Sequence, residues 1–227
     1  MKNFPLLFLL LTLWAACETK TVPEATPTVI ERTDTPIRPT TSEARPRIVF
    51  FGNSLTAAYG LEPEQGFTAI IQRRLDSLQL NYEVVNAGLS GETTSGGLQR
   101  IDWILKDPVE IFVLELGGND GLRGTDTELT ARNLREMIDR VQAKHPEATI
   151  VLAGMEAPPN MGSDYTSKFR AIYSDLAESE KVELIPFLLE DVGGIAALNL
   201  PDGIHPNVEG QRIVAENVWE TLEPLVR

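Results

Sequence analysis

Short apolar runs rich in β-branched residues alternate along the chain with longer stretches in which apolar positions recur every three or four residues. The runs Arg47 to Phe51, Tyr82 to Asn86, Glu110 to Leu116, Thr149 to Met155 and Val182 to Ile185 have strand length. They show little polar alternation, as expected of strands covered on both faces. Between them, Phe67, Ile70, Ile71, Leu75 and Leu78 keep helical spacing, as do Leu134, Met137, Ile138 and Val141, with charged residues filling the other positions. Two more helices are expected, over roughly Asp164 to Ser179 and from Val208 to about Leu222. This alternation predicts an α/β fold, a parallel sheet of about five strands with helices on both faces. No internal repeat is visible.

Residues 1–46 do not share the pattern. Met1-Lys2-Asn3 precedes an apolar run, Phe4 to Ala16, of about 13 residues, well short of the roughly 20 that span a bilayer. A basic start, a short apolar stretch and small residues at its end describe an export signal over residues 1–16. Leu13-Trp14-Ala15-Ala16-Cys17 further resembles a bacterial lipobox, with Trp14 standing where an aliphatic residue is usual. The resemblance implies that Cys17 is lipidated and becomes the first mature residue. The product would be an exported lipoprotein, periplasmic or at the cell surface, anchored to a bacterial membrane; plain secretion with cleavage near Ala16 is the competing reading. Cys17 is the sole cysteine, so an internal disulfide and a cysteine-based metal site are both excluded.

Residues 17–46 are rich in Thr, Pro and Glu and have almost no periodic apolar positions. Such a segment cannot bury enough surface to offset its chain entropy. It reads as a disordered tether with a mean reach of about 30 Å, and about 90 Å at most if drawn out. The remainder, residues 47–227, is one domain by length, large enough to build a core without covalent staples. The formal net charge of −13 argues against a nucleic-acid partner, which needs clustered Lys and Arg.

In open parallel sheets the chemistry lies at the carboxyl ends of the strands. Gly52-Asn53-Ser54-Leu55 follows the first strand, Asn86 to Thr93 the second, Gly117-Gly118-Asn119-Asp120 the third and Glu156-Ala157-Pro158-Pro159-Asn160 the fourth. Ser54 can stand at a strand-to-helix turn as a nucleophile, although Thr56 occupies the place of a second elbow glycine; as a bare residue it reads equally well as a helix N-cap. Asp202-Gly203-Ile204-His205-Pro206 supplies an imidazole beside an acid, and Asp202 has the alternative of capping the helix that starts near Val208. The chain has two histidines. His145 is explained by the C-terminal end of a helix, so any histidine-dependent chemistry must use His205. Gly88, through a backbone N–H unobstructed by a side chain, and Asn119, through its carboxamide, are candidate donors to an oxyanion. Each also reads as a turn residue.

Together the blocks Phe51 to Gly60, Val85 to Thr93, Glu115 to Gly124 and Asp202 to Asn207 resemble the four blocks of the SGNH (GDSL-type) hydrolases, above all their thioesterase, lysophospholipase and arylesterase branch. The resemblance covers essentially all of residues 47–227. It implies a three-layer, flavodoxin-like SGNH fold and a serine esterase or thioesterase acting on acyl esters, aryl esters, acyl thioesters or lysophospholipids. It implies Ser54 as nucleophile, His205 as base and Asp202 as its partner, with an oxyanion hole from the N–H groups of Ser54 and Gly88 and the side chain of Asn119. No metal or organic cofactor is implied. The departure is Asn53, where the family usually has Asp. Segments near Met155 to Tyr165 and Phe187 to Leu200 are expected to shape the acyl site.

Two other readings compete. A flavin-binding protein of the same sheet type is disfavoured by the absence of a phosphate cradle, a GxGxxG or a P-loop. A membrane-tethered lipid- or glycan-binding protein with little activity is disfavoured by the full set of matched catalytic residues.

Overall fold

The β-branched and aromatic runs form five strands, β1 (Arg47–Gly52), β2 (Glu83–Gly88), β3 (Ile111–Glu115), β4 (Thr149–Ala153) and β5 (Glu183–Ile185). The structure, a computed structural model, describes residues 45–227. The export signal, Cys17 and the tether up to residue 44 lie outside the described residues. All strand pairings are parallel, in the order β2-β1-β3-β4-β5. Strands β1 and β3 sit side by side near the middle of the sheet and are buried almost throughout, whereas the edge strand β2 is partly exposed.

Among the described residues the sheet is accompanied by six α-helices: α1 (Phe67–Ser77), α2 (Thr94–Ile104), α3 (Gly118–Arg123), α4 (Thr127–Lys144), α5 (Ser163–Glu180) and α6 (Val208–Val226). Neighbouring residues of β1 report which face each helix covers, because successive side chains of a strand point to opposite sides. Phe50 meets Phe67 of α1 edge to face at 5.5 Å. Phe51, the next residue, lies 4.0 Å beneath the guanidinium of Arg100 on α2. Right-handed crossovers then place α1 beside α6 on one face and α2, α4 and α5 in a row on the other, in agreement with the observed helix contacts. On α4, Leu134, Met137, Ile138 and Val141 are all fully buried, each contributing roughly 1.5–3 kcal/mol relative to exposure.

The strands and four helices appear where the hydrophobic pattern places them, with ends shifted by a few residues. Helix α2 was not evident in that pattern. Gly96 and Gly97 each cost it about 1 kcal/mol relative to Ala, and tertiary contacts offset the loss. Asp120 accepts hydrogen bonds from Thr94 N (2.9 Å) and Thr94 Oγ1 (2.7 Å) at its first turn. Gly97 lets α2 lie close to the sheet, since a Cβ there would collide with Leu116 and press on Phe51 and Met137.

The chain leaves β1 toward β2 across one face and returns from β2 to β3 across the other. The carboxyl ends of β1 and β3 therefore flank the crevice of a topological switch point, the usual ligand position in such sheets.

Candidate active site

Gly52 ends β1, and the backbone turns sharply through Asn53, Ser54 and Leu55. Asn53 Oδ1 accepts from the N–H of Leu55 at 2.9 Å, an Asx-type turn. Ala57 N donates to Asn53 O and Tyr59 N to Ser54 O, each at 3.0 Å, which closes the turn. Ser54 is thereby held at the base of the crevice, 8% exposed. It is not a helix N-cap.

Behind the turn stands Glu115, the last residue of β3 and 1% exposed. Its carboxylate accepts from Asn53 N (3.0 Å), Asn53 Nδ2 (2.6 Å), Thr56 N (3.3 Å) and Thr56 Oγ1 (2.8 Å). Burial pushes the Glu115 carboxyl up to about 7, and these four donors pull in the opposite direction. A side chain at Gly52 would collide with both Glu115 and the Thr56 hydroxyl, which accounts for the glycine.

His205 reaches the site on the segment between β5 and α6. Leu200 N donates to His205 O (2.7 Å), and Asn199 and Pro206 form a short antiparallel bridge. Asn207, not Asp202, caps α6, accepting from Glu209 N and Gly210 N. Asp202 instead turns toward the histidine: Oδ1 accepts from Ile204 N (2.9 Å) and His205 N (3.0 Å), and Oδ2 lies 2.7 Å from His205 Nδ1. The backbone N–H groups of His205 and Ile204 hold this carboxyl down to about 2. A charged carboxylate at Nδ1 fixes the proton there and leaves Nε2 as an acceptor. Nε2 lies 2.8 Å from Ser54 Oγ. Tyr59, half exposed, packs its ring on the imidazole with centroids 4.6 Å apart.

On the far side of Ser54, Asn119 occupies the first turn of α3. One N–H of its carboxamide donates to Glu92 O at 3.0 Å, and the other remains available to the cleft that Asn119 lines with Ser54 and His205. The Ser54 N–H has no protein acceptor among the described residues. Gly88 differs from expectation. Its N–H donates to Asn86 Oδ1 at 3.0 Å, and a Cβ there would overlap the backbone of Thr56 and Ala57 rather than block the cleft. The glycine serves the close approach of β2 to the Ser54 turn.

Several supporting residues were not evident in the sequence. Arg100 forms a fork with Glu92, Nε lying 2.7 and 2.8 Å from its two oxygens, and also donates to Ala87 O (2.8 Å) and Gly52 O (3.2 Å). It straps the ends of β1 and β2 together and steadies the carbonyl that orients Asn119. Asn86 joins β2 to the turn and to α1, donating to Thr56 O (2.7 Å) and Thr68 Oγ1 (3.0 Å). Nothing in their local sequence marks them, because their partners lie on other segments of the chain.

The cleft above these groups measures about 710 Å³. Leu122, Met155, Ala157, Phe187, Leu189 and Ile204 give it a largely apolar wall. Both segments expected to shape an acyl site, after β4 and after β5, contribute to this wall.

Comparison with known proteins identifies the family of the chain. The profile of the GDSL-like Lipase/Acylhydrolase family matches residues 50–213. Esterase TesA of Pseudomonas aeruginosa is 41% identical over 188 residues, which are 82% of this chain and 92% of that protein. Thioesterase 1/protease 1/lysophospholipase L1 of Escherichia coli K12 is 37% identical over 180 residues, 79% of this chain and 84% of its own length. A crystal structure of TesA superposes with a TM-score of 0.75 at 42% identity, covering 79% of this chain and 99% of that one. The chain belongs to the GDSL-like lipase and acylhydrolase family, the SGNH hydrolases.

Proposed function

We propose that this protein hydrolyses carboxylic esters and thioesters of apolar acyl groups through an acyl-enzyme formed on Ser54. The observation that carries the proposal is the hydrogen-bonded chain from Ser54 Oγ to His205 Nε2 (2.8 Å) and from His205 Nδ1 to Asp202 Oδ2 (2.7 Å). His205 Nε2 takes the Ser54 proton as Oγ attacks the acyl carbon, and Asp202 stabilises the imidazolium that forms. The N–H of Ser54 and the free amide N–H of Asn119 stabilise the oxyanion. Gly88 joins them only by exchanging Asn86 Oδ1 for the substrate oxygen. Collapse of the tetrahedral intermediate breaks the bond to the alcohol or thiol, which leaves with the proton from Nε2. A water deprotonated by His205 then attacks the acyl-enzyme and releases the acid.

The apolar wall supports an aliphatic or aryl acyl group as the part that is bound, with aryl esters, acyl thioesters and lysophospholipids as substrates of that class. The test is hydrolysis of p-nitrophenyl esters and acyl thioesters of increasing chain length by the wild type and by Ser54→Ala. Turnover is expected to fall by several orders of magnitude in the variant, because the members of such a triad act as a unit. Equal turnover in a folded Ser54→Ala protein overturns the mechanism.

The same reading includes export and membrane attachment through a lipidated Cys17, supported by the signal-like residues 1–16 and the lipobox-like Leu13 to Cys17. Cys17→Ser is then expected to move the protein from the membrane fraction to the soluble exported fraction, and identical fractionation of the two proteins refutes the anchor.

A further inference from the structure

Glu115 is a fully buried carboxylate that the hydrolytic mechanism does not use. All four hydrogen bonds it accepts come from Asn53 and Thr56, the residues on either side of Ser54-Leu55, so this one side chain gathers the whole turn. Three of the donors, Asn53 N, Thr56 N and Thr56 Oγ1, converge on Oε2. The fourth, Asn53 Nδ2, meets Oε1 at 2.6 Å.

The orientation of the Asn53 amide is therefore fixed from both ends. Nδ2 faces a carboxylate, and Oδ1 accepts from Leu55 N (2.9 Å) while lying 3.3 Å from Ser54 Oγ. Reversing the amide would set oxygen against oxygen at Glu115 and N–H against N–H at Leu55, and both arrangements are costly in a buried site. An acid at position 53, the usual family residue, would place a second carboxylate against Oε1.

We infer that Glu115 is the positioning residue for the nucleophile and that Asn53 is its matched partner, the two forming one unit whose hydrogen-bond polarity sets where Ser54 Oγ stands. This rests on Ser54 being the nucleophile. A pair of this kind can be broken and then remade with reversed polarity. Glu115→Gln puts a carboxamide N–H against Asn53 Nδ2, two donors facing each other. Adding Asn53→Asp turns the contact into an amide N–H at position 115 donating to a carboxylate at position 53. The amide carbonyl at position 115 still accepts from Thr56 and from the backbone N–H of residue 53.

The experiment compares wild type, Glu115→Gln and the double variant Asn53→Asp/Glu115→Gln, measuring kcat and KM on one p-nitrophenyl ester and the thermal unfolding midpoint. Glu115→Gln is expected to lower kcat at least tenfold, about 1.4 kcal/mol of transition-state stabilisation. KM should change by less than about threefold, because the cleft wall is untouched. The double variant is expected to regain most of the lost kcat and of any lowered midpoint. A double variant no better than Glu115→Gln, or a Glu115→Gln protein with unaltered kcat, overturns the inference. Recovery of the midpoint without recovery of kcat also overturns it, since the pair would then be structural only. Should Glu115→Gln fail to fold, restoration of a folded, active protein by the second substitution supports the pairing, and continued misfolding sinks it. Absence of hydrolysis by the wild type would instead refute the proposed function, and the midpoints would still decide whether residues 53 and 115 are coupled.

Discussion

His205 Nε2 and Ser54 Oγ lie 2.8 Å apart although 151 residues separate them in the chain. The contact joins the turn after β1 to the segment before α6, so it exists only once the sheet is complete. Asp202 acts on this contact at one remove, through Nδ1. Asp202→Asn would let a carboxamide N–H face Nδ1 and favour the wrong tautomer. A fall in kcat on the order of 10³ to 10⁴ is expected, with the fold retained. Because the carboxyl is held down to about 2, below its ordinary value, it stays charged throughout any practical assay range. It should contribute no limb to the pH profile of kcat/KM between about pH 4 and 9. A loss of less than tenfold in kcat for Asp202→Asn would argue that the carboxylate is not needed.

Asn119 is tethered through one amide proton to Glu92 O and has the other to offer. Replacing it with Ala removes the offered donor without disturbing the Ser54–His205 contact. The expected cost is about 10² to 10³ in kcat, with KM nearly unchanged. If only KM rises, Asn119 binds the ground state instead.

The fold was legible because burial on both faces forces β1 and β3 to be apolar without interruption, and because Phe67, Ile71 and Leu75 repeat at helical spacing. Ser54 and Asn119 stood out because each falls in a motif just after a strand, and Asp202 and His205 because an acid and an imidazole share one Gly- and Pro-punctuated segment before α6. The residues behind them were not. Glu115 reads in sequence as one acid at the edge of an apolar run, and only the register that sets it opposite Gly52 reveals its role. Arg100 sits in a helix whose own Gly96-Gly97 obscured it, and its partners Glu92, Ala87 and Gly52 come from two other segments. Gly88 was given open space beside a substrate, whereas the space is filled by the backbone of the Ser54 turn.

Glu115 also ties stability to pH. Burial raises its carboxyl from an ordinary carboxylate value to about 7. Between roughly pH 4.5 and 7 the folded protein therefore binds more protons than the unfolded chain, and stability falls as pH rises through that window. At about 1.4 kcal/mol per pKa unit the effect is about 3 kcal/mol at most. Asp202, with a lowered value, works in the opposite sense but only below about pH 4. Urea unfolding of wild type and Glu115→Gln at several pH values checks this. The wild type should lose stability across the window and the variant should show a flatter profile; parallel profiles would mean that Glu115 does not titrate there.

Asn53→Asp restores the usual family residue, and its effect depends on Glu115. The two carboxylates would meet where Nδ2 now lies 2.6 Å from Oε1, in a site that excludes water. They can coexist only by sharing a proton, which raises the upper value of the pair beyond the already raised value of Glu115. Other titratable groups close by are Tyr173 of α5, whose hydroxyl donates to Leu116 O, and Arg100 of α2, which donates to Gly52 O. Neither bonds to the Glu115 carboxylate, so neither relieves the repulsion. While the proton is retained, a neutral Glu115 donates to the introduced carboxylate and the turn keeps its shape. When it is lost, the turn is driven apart and Ser54 with it. The variant should therefore approach wild-type kcat at low pH and lose it as pH rises, with an alkaline limb that the wild type lacks. In the Glu115→Gln background the same substitution should show no such limb, because the donor there cannot titrate. Measuring kcat for one ester from pH 6 to 10 in the three proteins decides the matter, and an Asn53→Asp profile parallel to wild type would show that the two side chains do not interact as drawn.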